Sequence, residues 1–367
     1  MGPFFRFIGV TIVYHLLQLY GIASNRPLLA WGPNKGGIAM PTFRALVADL
    51  DKERVRVDIR ELTLEDLPDG DVTIRVSYSS VNYKDGLAVA TGGRVVKSYP
   101  IVPGIDLAGI VSASRDPRFK EGDPVIVTGY ELGVSHDGGF SEFARVPGDW
   151  IVPLPAGLTL KEAMALGTAG FTAALSVQRL EEHGVTPDKG PVLVTGATGG
   201  VGSLAVAMLA NKGYDVAAST GKEAHHAFLR KLGASSVIPR SELSPETIRP
   251  LDRQRWAGAI DPVGGRSLAY ILSSMRHDGS VAVSGLAGGA DLPTTVFPFI
   301  LRGVNLLGIN SVDCPMELRV RLWNRMAGDL KPAGLDDICS EITLDELPDA
   351  LRTIREGRHV GRKIVRL

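Results

Sequence analysis

Cysteine is scarce in this chain of 367 residues: Cys314 and Cys339 are the only two, far apart in sequence. A disulfide framework is excluded, and so is a cysteine-rich zinc cluster. Two lone thiols suit a reducing compartment, and the cytoplasm is the expected location. Neither sign of charge is in excess, since 40 Lys plus Arg stand against 40 Asp plus Glu. Nucleic acid and anionic membranes are therefore not expected partners. Long apolar runs are lacking too. Phe4 to Ile22 is mostly apolar but is broken by Arg6, His15 and Gln18, and it is short for a membrane span. With one early charge and small residues at Gly21 and Ala23 it has the outline of a secretion signal. The plainer expectation is that the folded chain starts at Met40, where a clean alternating strand begins. Residues 1–39 then form an extension that is disordered or not native, with Pro27, Gly32, Pro33, Gly36 and Gly37 in its later part.

What remains has 44% hydrophobic and 22% charged residues, the balance of a soluble globular protein. The most informative stretch is Val192-Leu-Val-Thr-Gly-Ala-Thr-Gly-Gly-Val-Gly202. Three apolar β-formers make a short buried strand, glycines break it, and an apolar helix pattern follows from Val201. Strand, tight glycine turn and helix form the geometry of a dinucleotide site. Backbone N–H groups and the positive end of the helix converge there on one spot, where a pyrophosphate can sit without a cationic side chain. In the G-x-G-x-x-G spelling Ala197 takes the first place, followed by Gly199 and Gly202; Gly196 and Gly200 are additional.

From Phe43 to Val146 the pattern is all-β with many turns. Strands are expected at Phe43–Val47, Val55–Ile59, Val72–Ser79, Gly109–Ala113, Pro124–Gly129 and Phe140–Val146, spaced as in a compact barrel. Leu160–Glu182 reads as a helix with Gly170 inside it. Strands then alternate with helices: strands at Val192–Thr195, Asp215–Ser219, Ser236–Ile238, Ala257–Asp261, Ser280–Ser284 and Asn305–Ile309, helices near 200–212, 222–233, 265–276 and 315–330. That alternation makes an α/β fold with a doubly wound parallel sheet. After Pro332, a strand at Ile338–Thr343, a helix at Leu344–Glu356 and a strand at Lys363–Leu367 return to the first domain. The expected division is 40–165 with 332–367 as one domain and 166–331 as the other.

An NAD site carries an Asp or Glu about 20 residues beyond the glycines, on the ribose hydroxyls. Here the second strand ends in Ser219-Thr220-Gly221-Lys222, with no carboxylate. Hydroxyls, open backbone and a cation suit a 2′-phosphate, and Arg240 after the third strand adds a second cation, so NADP(H) is the expected cofactor. The competing reading leaves Lys222 as the start of an exposed helix.

Four stretches together resemble the medium-chain dehydrogenases/reductases: Ser80-Val-Asn-Tyr-Lys-Asp-Gly86, Pro103-Gly-Ile-Asp-Leu-Ala-Gly109, Gly167-Thr-Ala-Gly-Phe-Thr-Ala173 and the glycine turn. With Trp256–Asp261, Gly285–Gly289 and Pro293–Arg302 they are similar to the zinc-free YhdH/YhfP branch, described as quinone oxidoreductase-like proteins and acrylyl-CoA reductases. The likeness spans Met40 to Leu367. It implies a GroES-like catalytic barrel beside a Rossmann domain, and a homodimer paired through the strand at Asn305–Ile309. Zinc-dependent members of the wider family carry Cys where Asn82 or Tyr83 stands and Gly-His-Glu where Gly104-Ile105-Asp106 stands, so both ligand sets are missing and no metal is expected. The acceptor must then already be activated by conjugation, as in an enoyl thioester, an enone or a quinone.

The resemblance places Tyr83 beside the nicotinamide, with Asn82 and Asp85 on the same turn facing the cleft. Asp85 either fixes that turn or aids proton delivery; its plain alternative is to cap a short helix at Gly86–Val89. Thr168 and Thr172 are expected to reach phosphate, Thr198, Gly199, Gly200 and Val201 to wrap the pyrophosphate, and Ser219, Thr220, Gly221, Lys222 and Arg240 to hold the ribose phosphate. Leu286, Ile300 with its neighbour Phe299, and Ser311 with Asn310 are expected along the nicotinamide side. Arg302 is expected to meet a CoA phosphate or an acidic neighbour, and His136 and the pair His225-His226 are expected at the surface. The implied activity is NADPH-dependent reduction of acrylyl-CoA to propanoyl-CoA, with NADPH:quinone reduction, or NADPH binding without turnover, as the alternatives.

Overall fold

Apolar β-formers between glycine turns become two large sheets and a two-stranded ribbon. The computed structural model describes residues 41–367; the expectations for residues 1–39 lie outside the described residues. In chain order the elements are β1 (Thr42–Asp51), β2 (Arg54–Thr63), β3 (Val72–Ser80), α1 (Tyr83–Ala88), β4 (Asp106–Ser114), β5 (Pro124–Thr128), β6 (Phe143–Val146) and β7 (Ile151–Pro153), then the long helix α2 (Leu160–Glu182). They continue with β8 (Val192–Val194), α3 (Gly200–Asn211), β9 (Val216–Thr220), α4 (His226–Lys231), β10 (Ser236–Pro239), β11 (Trp256–Asp261), α5 (Gly265–Ser273), β12 (Met275–Val283), α6 (Phe297–Arg302) and β13 (Asn305–Gly308). The chain closes with α7 (Met316–Ala327), α8 (Leu335–Ile338), β14 (Cys339–Thr343), α9 (Leu347–Arg355) and β15 (Arg362–Arg366).

One sheet has the order β10-β9-β8-β11-β12-β13, with every pairing parallel. The chain starts in the middle at β8, winds outward to β10, then returns to β11 and winds out to β13. Such a sheet binds ligand beyond the carboxyl ends of the two strands at the switch, here β8 and β11. Both are wholly buried, consistent with helices on the two faces. The other sheet runs β14-β15-β3-β4-β5-β7, with β6 also on β3. β15 pairs antiparallel with β3 and parallel with β14, so the end of the chain is built into the middle of this sheet. β1 and β2 form a separate antiparallel ribbon.

Helix α2 packs against strands of both sheets and against α3. Its capping box is complete: Thr159 Oγ1 accepts Glu162 N–H, and Glu162 Oε2 accepts Thr159 N–H. At Gly167 the helix breaks, with φ 52° and ψ −156°. The glycine noted in the sequence, Gly170, stays helical.

Several boundaries differ from expectation: β6 starts at Phe143 rather than Phe140, and the helix expected over Leu344–Glu356 is a 3-10 turn at Leu344–Glu346 followed by α9. The helix expected over 265–276 ends at Ser273, because the Ser273 and Ser274 hydroxyls donate to Tyr270 O and Ile271 O and close the last turn. The strand β12 then starts at Met275 rather than Ser280. The helix expected over 222–233 is a 3-10 turn at Glu223–His225 followed by α4. No described helix is long and apolar enough to cross a membrane.

Candidate active site

The glycine turn is as tight as its sequence suggests. Gly199 N–H donates to Gly196 O at 2.8 Å, and Ala197 N–H donates to Ser219 O at 3.0 Å, tying the turn to the end of β9. A Cβ on Gly202 would sit 2.3 Å from Gly196 O and 2.7 Å from Ala197 Cα, so only glycine allows this approach. The N-terminus of α3, a helix of 12 residues, opens at Gly199 and Gly200 with its positive end free for an anion.

At the end of β9, Ser219 and Thr220 are buried and Gly221 is exposed. Thr198 Oγ1 and Thr220 Oγ1 lie 3.1 Å apart. Lys222 N–H donates to Thr220 Oγ1, and its ammonium donates to His359 O. Lys222 is half-buried, and that burial lowers its pKa from the ordinary lysine value. The Arg240 guanidinium lies against Gly221: a Cβ there would be 3.3 Å from Arg240 Cζ. Two cations, Lys222 and Arg240, thus flank the end of β9, whose Ser219 and Thr220 are buried.

On the barrel side, α1 begins at Tyr83, three residues before the helix start expected at Gly86, and its N-cap is Asn82 rather than Asp85. Tyr83 is 50% exposed. Asp85 does not face the cleft as expected. It is fully buried, with Oδ2 accepting Asn82 N–H at 2.8 Å and Oδ1 accepting Ile105 N–H at 2.9 Å. Its carboxylate fixes the turn; burial first, and then the nearby Asp106, push its pKa upward. Asn82 is buried as well and donates from Nδ2 to Asp106 Oδ2 at 2.7 Å.

Thr168 and Thr172 do not offer their hydroxyls to a phosphate. Thr168 Oγ1 donates to Asp106 Oδ1, and Thr172 Oγ1 donates to Thr168 O at 2.7 Å while lying 3.0 Å from Ser311 Oγ. Leu286 and Ile300 are exposed, at 65% and 68%. Arg302 meets neither a free cleft nor an acid; it donates to Ser273 O, Met275 O and Asp252 O, closing the end of α5. His136 Nε2 lies 2.7 Å from Arg145 O, and its ring stands edge-on to Trp150. His225 and His226 are partly buried, and His226 Nε2 is enclosed without a partner.

Two family models match the chain: the one described as Alcohol dehydrogenase GroES-like domain over residues 68–156, and the one described as Zinc-binding dehydrogenase over residues 200–327. The chain is 52% identical over 325 residues to acrylyl-CoA reductase AcuI of Ruegeria pomeroyi, covering 88% of this chain and 98% of that one. Among solved structures, Bacillus subtilis YhfP with NAD bound superposes with a TM-score of 0.88 at 57% identity, covering 89% of this chain and 100% of that one. Escherichia coli YhdH with bound NADPH gives 0.85 at 47% identity, covering 88% and 99%. The chain belongs to the zinc-free YhdH/YhfP family of medium-chain dehydrogenases/reductases.

Zinc is in the description of one matching model, yet the residues here do not fit the ion. Of the positions where zinc-dependent relatives carry ligands, Asn82 presents an amide and Asp106 is already saturated. Asp106 Oδ2 accepts from Ser80 Oγ, Asn82 Nδ2 and Thr168 N–H, and Oδ1 accepts from Thr168 Oγ1. Among the described residues no three His, Cys, Asp or Glu side chains gather around one point. A dinucleotide, by contrast, fits this YhdH/YhfP site, since the Gly202 approach and the cationic corner at Lys222 and Arg240 both supply what its phosphates need.

The loop after α9 was not legible in the sequence as part of this site. Gly361 N–H donates to Thr198 O at 2.9 Å, and His359 O receives the Lys222 ammonium. His359 is buried, with Nε2 on Gly361 O at 2.7 Å and Nδ1 unpartnered. Burial, then Arg362, pulls its pKa from 6.5 to about 4. The folded state therefore binds fewer protons than the unfolded state between those two values, and stability falls as pH is lowered from about 6.5 toward 4. His359→Gln keeps a donor for Gly361 O and removes the titration. Its thermal midpoint is expected to fall less steeply than wild type over that window, with a difference approaching roughly 3 kcal/mol at the acid end. Parallel pH profiles of the two proteins by calorimetry check this; superimposable profiles contradict it.

Proposed function

We propose that this chain is an NADPH-dependent reductase of carbon–carbon double bonds conjugated to a carbonyl, with acrylyl-CoA to propanoyl-CoA as its leading reaction. The reading is carried by the 52% identity, over nearly the whole length of both chains, to a relative named acrylyl-CoA reductase. When bound, NADPH supplies hydride to the β-carbon of the acceptor, whose α-carbon then takes a proton. The residues of this chain bind and orient. Thr198, Gly199, Gly200 and Val201 hold the pyrophosphate on their amides and on the α3 dipole. Ser219, Thr220, Gly221, Lys222 and Arg240 hold the 2′-phosphate. Tyr83 lays its exposed ring along the nicotinamide, Asn82 sets the loop that carries it, and Leu286, Ile300 and Ser311 border the same end of the cleft. A quinone is the second acceptor class, favoured by the quinone oxidoreductase name of the Bacillus subtilis relative.

The proposed enzyme is cytoplasmic and homodimeric. β13 ends its sheet, so its outer edge is free to pair with a second copy across a two-fold axis. Val296, Phe297 and Leu301 on and beside α6 also expose apolar surface, which the same contact would cover.

NADPH oxidation with acrylyl-CoA, crotonyl-CoA and a small quinone, assayed in parallel, tests the reading. Saturable oxidation with the thioester is expected, and NADPH is expected to bind more tightly than NADH. Tyr83→Ala should lose roughly tenfold in kcat/KM while Tyr83→Phe keeps most of it, since the ring face and not the hydroxyl is in use. Oxidation with quinone alone moves the assignment to the second class. Binding without oxidation of any acceptor, or equal affinity for NADH, rejects the proposal.

A further inference from the structure

Five pieces of chain that are distant in sequence meet at one buried guanidinium. Arg362, the first residue of β15, is 2% exposed. Its Nε donates to Ala165 O at 3.2 Å, Nη1 donates to Val81 O at 2.9 Å and Asn82 Oδ1 at 3.2 Å, and Nη2 donates to Ser80 Oγ at 2.8 Å. Nη2 also lies 3.9 Å from Asp106 Oδ2. Ser80 Oγ in turn donates a hydrogen bond to that same carboxylate oxygen at 2.6 Å. The cation and its counter-ion are thus joined through a hydroxyl and through Asn82, which touches both.

Two glycines mark how closely other backbone approaches this group. A Cβ on Gly167 would lie 2.6 Å from Asp106 Oδ2 and 2.8 Å from Arg362 Nη2, so the break in α2 makes room for the pair. A Cβ on Gly200 would lie 3.2 Å from Arg362 Cδ and Nη1, so the first residue of α3 rests on the same side chain. The guanidinium therefore bonds through one N–H edge to the residue before Tyr83, and its stem touches the start of the helix that would receive pyrophosphate.

Burying an ion pair gains little stability, because desolvation of both charges offsets their attraction. What such a group fixes is geometry, since a planar fork with five N–H donors accepts few arrangements of its partners. We propose that Arg362, with Asp106 as counter-ion, is a positioning residue that locks the Asn82–Tyr83 loop to the N-terminus of α3. The ring-holding and phosphate-holding halves of the cofactor site are then set by one internal cation. The cation stands beside the segments where zinc-dependent relatives place their metal ligands, so a protein guanidinium organises this corner of the fold. The inference rests on the dinucleotide reading of the site.

The test uses the full chain and direct NADPH titration by cofactor fluorescence, which needs no acceptor, together with steady-state kinetics and thermal midpoints. Arg362→Lys keeps the charge but not the fork. It is expected to stay folded, to weaken NADPH binding at least tenfold, and to lower kcat as well as raise KM for NADPH. Arg362→Met leaves Asp106 buried and uncompensated, and should lower the thermal midpoint sharply. Adding Asp106→Asn to Arg362→Met removes the lone charge; it should recover much of the midpoint without recovering NADPH affinity. A purely structural role predicts that affinity returns together with stability in the double variant, and that result overturns the proposal. Wild-type affinity and kcat in Arg362→Lys overturn it too, as does an Arg362→Lys protein that does not fold. If wild type itself does not bind NADPH, the dinucleotide reading fails instead, and the two failures are told apart by that single control.

Discussion

Gly202→Ala is expected to weaken NADPH binding by a hundredfold or more, with no loss of the barrel sheet. The added methyl would sit 2.3 Å from Gly196 O, 2.7 Å from Ala197 Cα and 2.8 Å from Gly196 C. All three are backbone atoms of the turn itself, so no side chain can rotate away. Real Cβ contacts fall above 3.0 Å, and α3 must back off from β8 by the better part of an ångström. The helix has little freedom to do so, because Gly202 to Leu209 are all buried against the sheet and α2. Overpacking of this kind costs about 1–3 kcal/mol in stability. The larger effect falls on binding, since amides aimed at a phosphate lose their geometry together; a hundredfold corresponds to about 3 kcal/mol. Gly328→Ala, at the end of α7, is the control, because a Cβ there meets nothing nearer than Asn324 O at 3.5 Å. Fluorescence titration of both variants decides. NADPH affinity within threefold of wild type in Gly202→Ala would show that this turn is not the phosphate cradle.

That the turn could be found without coordinates follows from the physics of local signals. Val192–Val194 are contiguous apolar β-formers, the glycines interrupt them at once, and the absence of a carboxylate at Ser219–Lys222 is visible by inspection. The parallel sheet was largely legible, because most of its strands are short, apolar and set between turn residues; β12 was found only from Ser280, since Arg276, His277 and Asp278 make its first part polar. The remainder depends on partners far apart in the chain. Asn82 and Arg362 are separated by 280 positions, and the strand expected at Lys363–Leu367 begins one residue after Arg362, so nothing local marks that side chain as buried. Asp106 sits in a stretch that carried the family likeness, but its role as an acceptor for Ser80, Asn82 and Thr168 is set by the break in α2. Thr168 and Thr172 illustrate the cost of reading a hydroxyl as free, because a hydroxyl near a phosphate site has one proton and here neighbouring protein atoms take it. Helix α6 escaped notice because it has six residues and its only start signal, Pro298, lies in a Pro- and Thr-rich run.

A second buried arginine gives the other large effect, and it should behave differently from Arg362. Arg319→Met is expected to lower stability by about 3–5 kcal/mol, seen as a fall of roughly 5–10 °C in the thermal midpoint. Arg319 is on α7 and fully buried. Nη1 donates to Thr128 O at 2.9 Å and Thr128 Oγ1 at 3.0 Å, and Nη2 donates to Ser311 O at 3.1 Å and Val312 O at 2.9 Å. Its Cζ lies 4.6 Å from the Tyr130 ring centre and 4.9 Å from that of Phe171. Carbonyl oxygens and aromatic faces therefore surround the charge, and it bridges the end of β5 to the loop before α7. Methionine fills the volume between the rings but offers no donor, so three backbone carbonyls and one hydroxyl lose partners in a place water does not reach. Arg319→Lys, with a single ammonium, can meet some of these oxygens and should fall between. Arg319 touches Ser311 through backbone only and does not approach the glycine turn, so KM for NADPH should move less than threefold in the folded fraction. Stability lost with affinity kept is the reverse of the pattern expected for Arg362→Lys. A midpoint within 2 °C of wild type in Arg319→Met, or a tenfold loss of NADPH affinity without unfolding, contradicts this division between an arginine that holds the two sheets together and one that aligns the cofactor site.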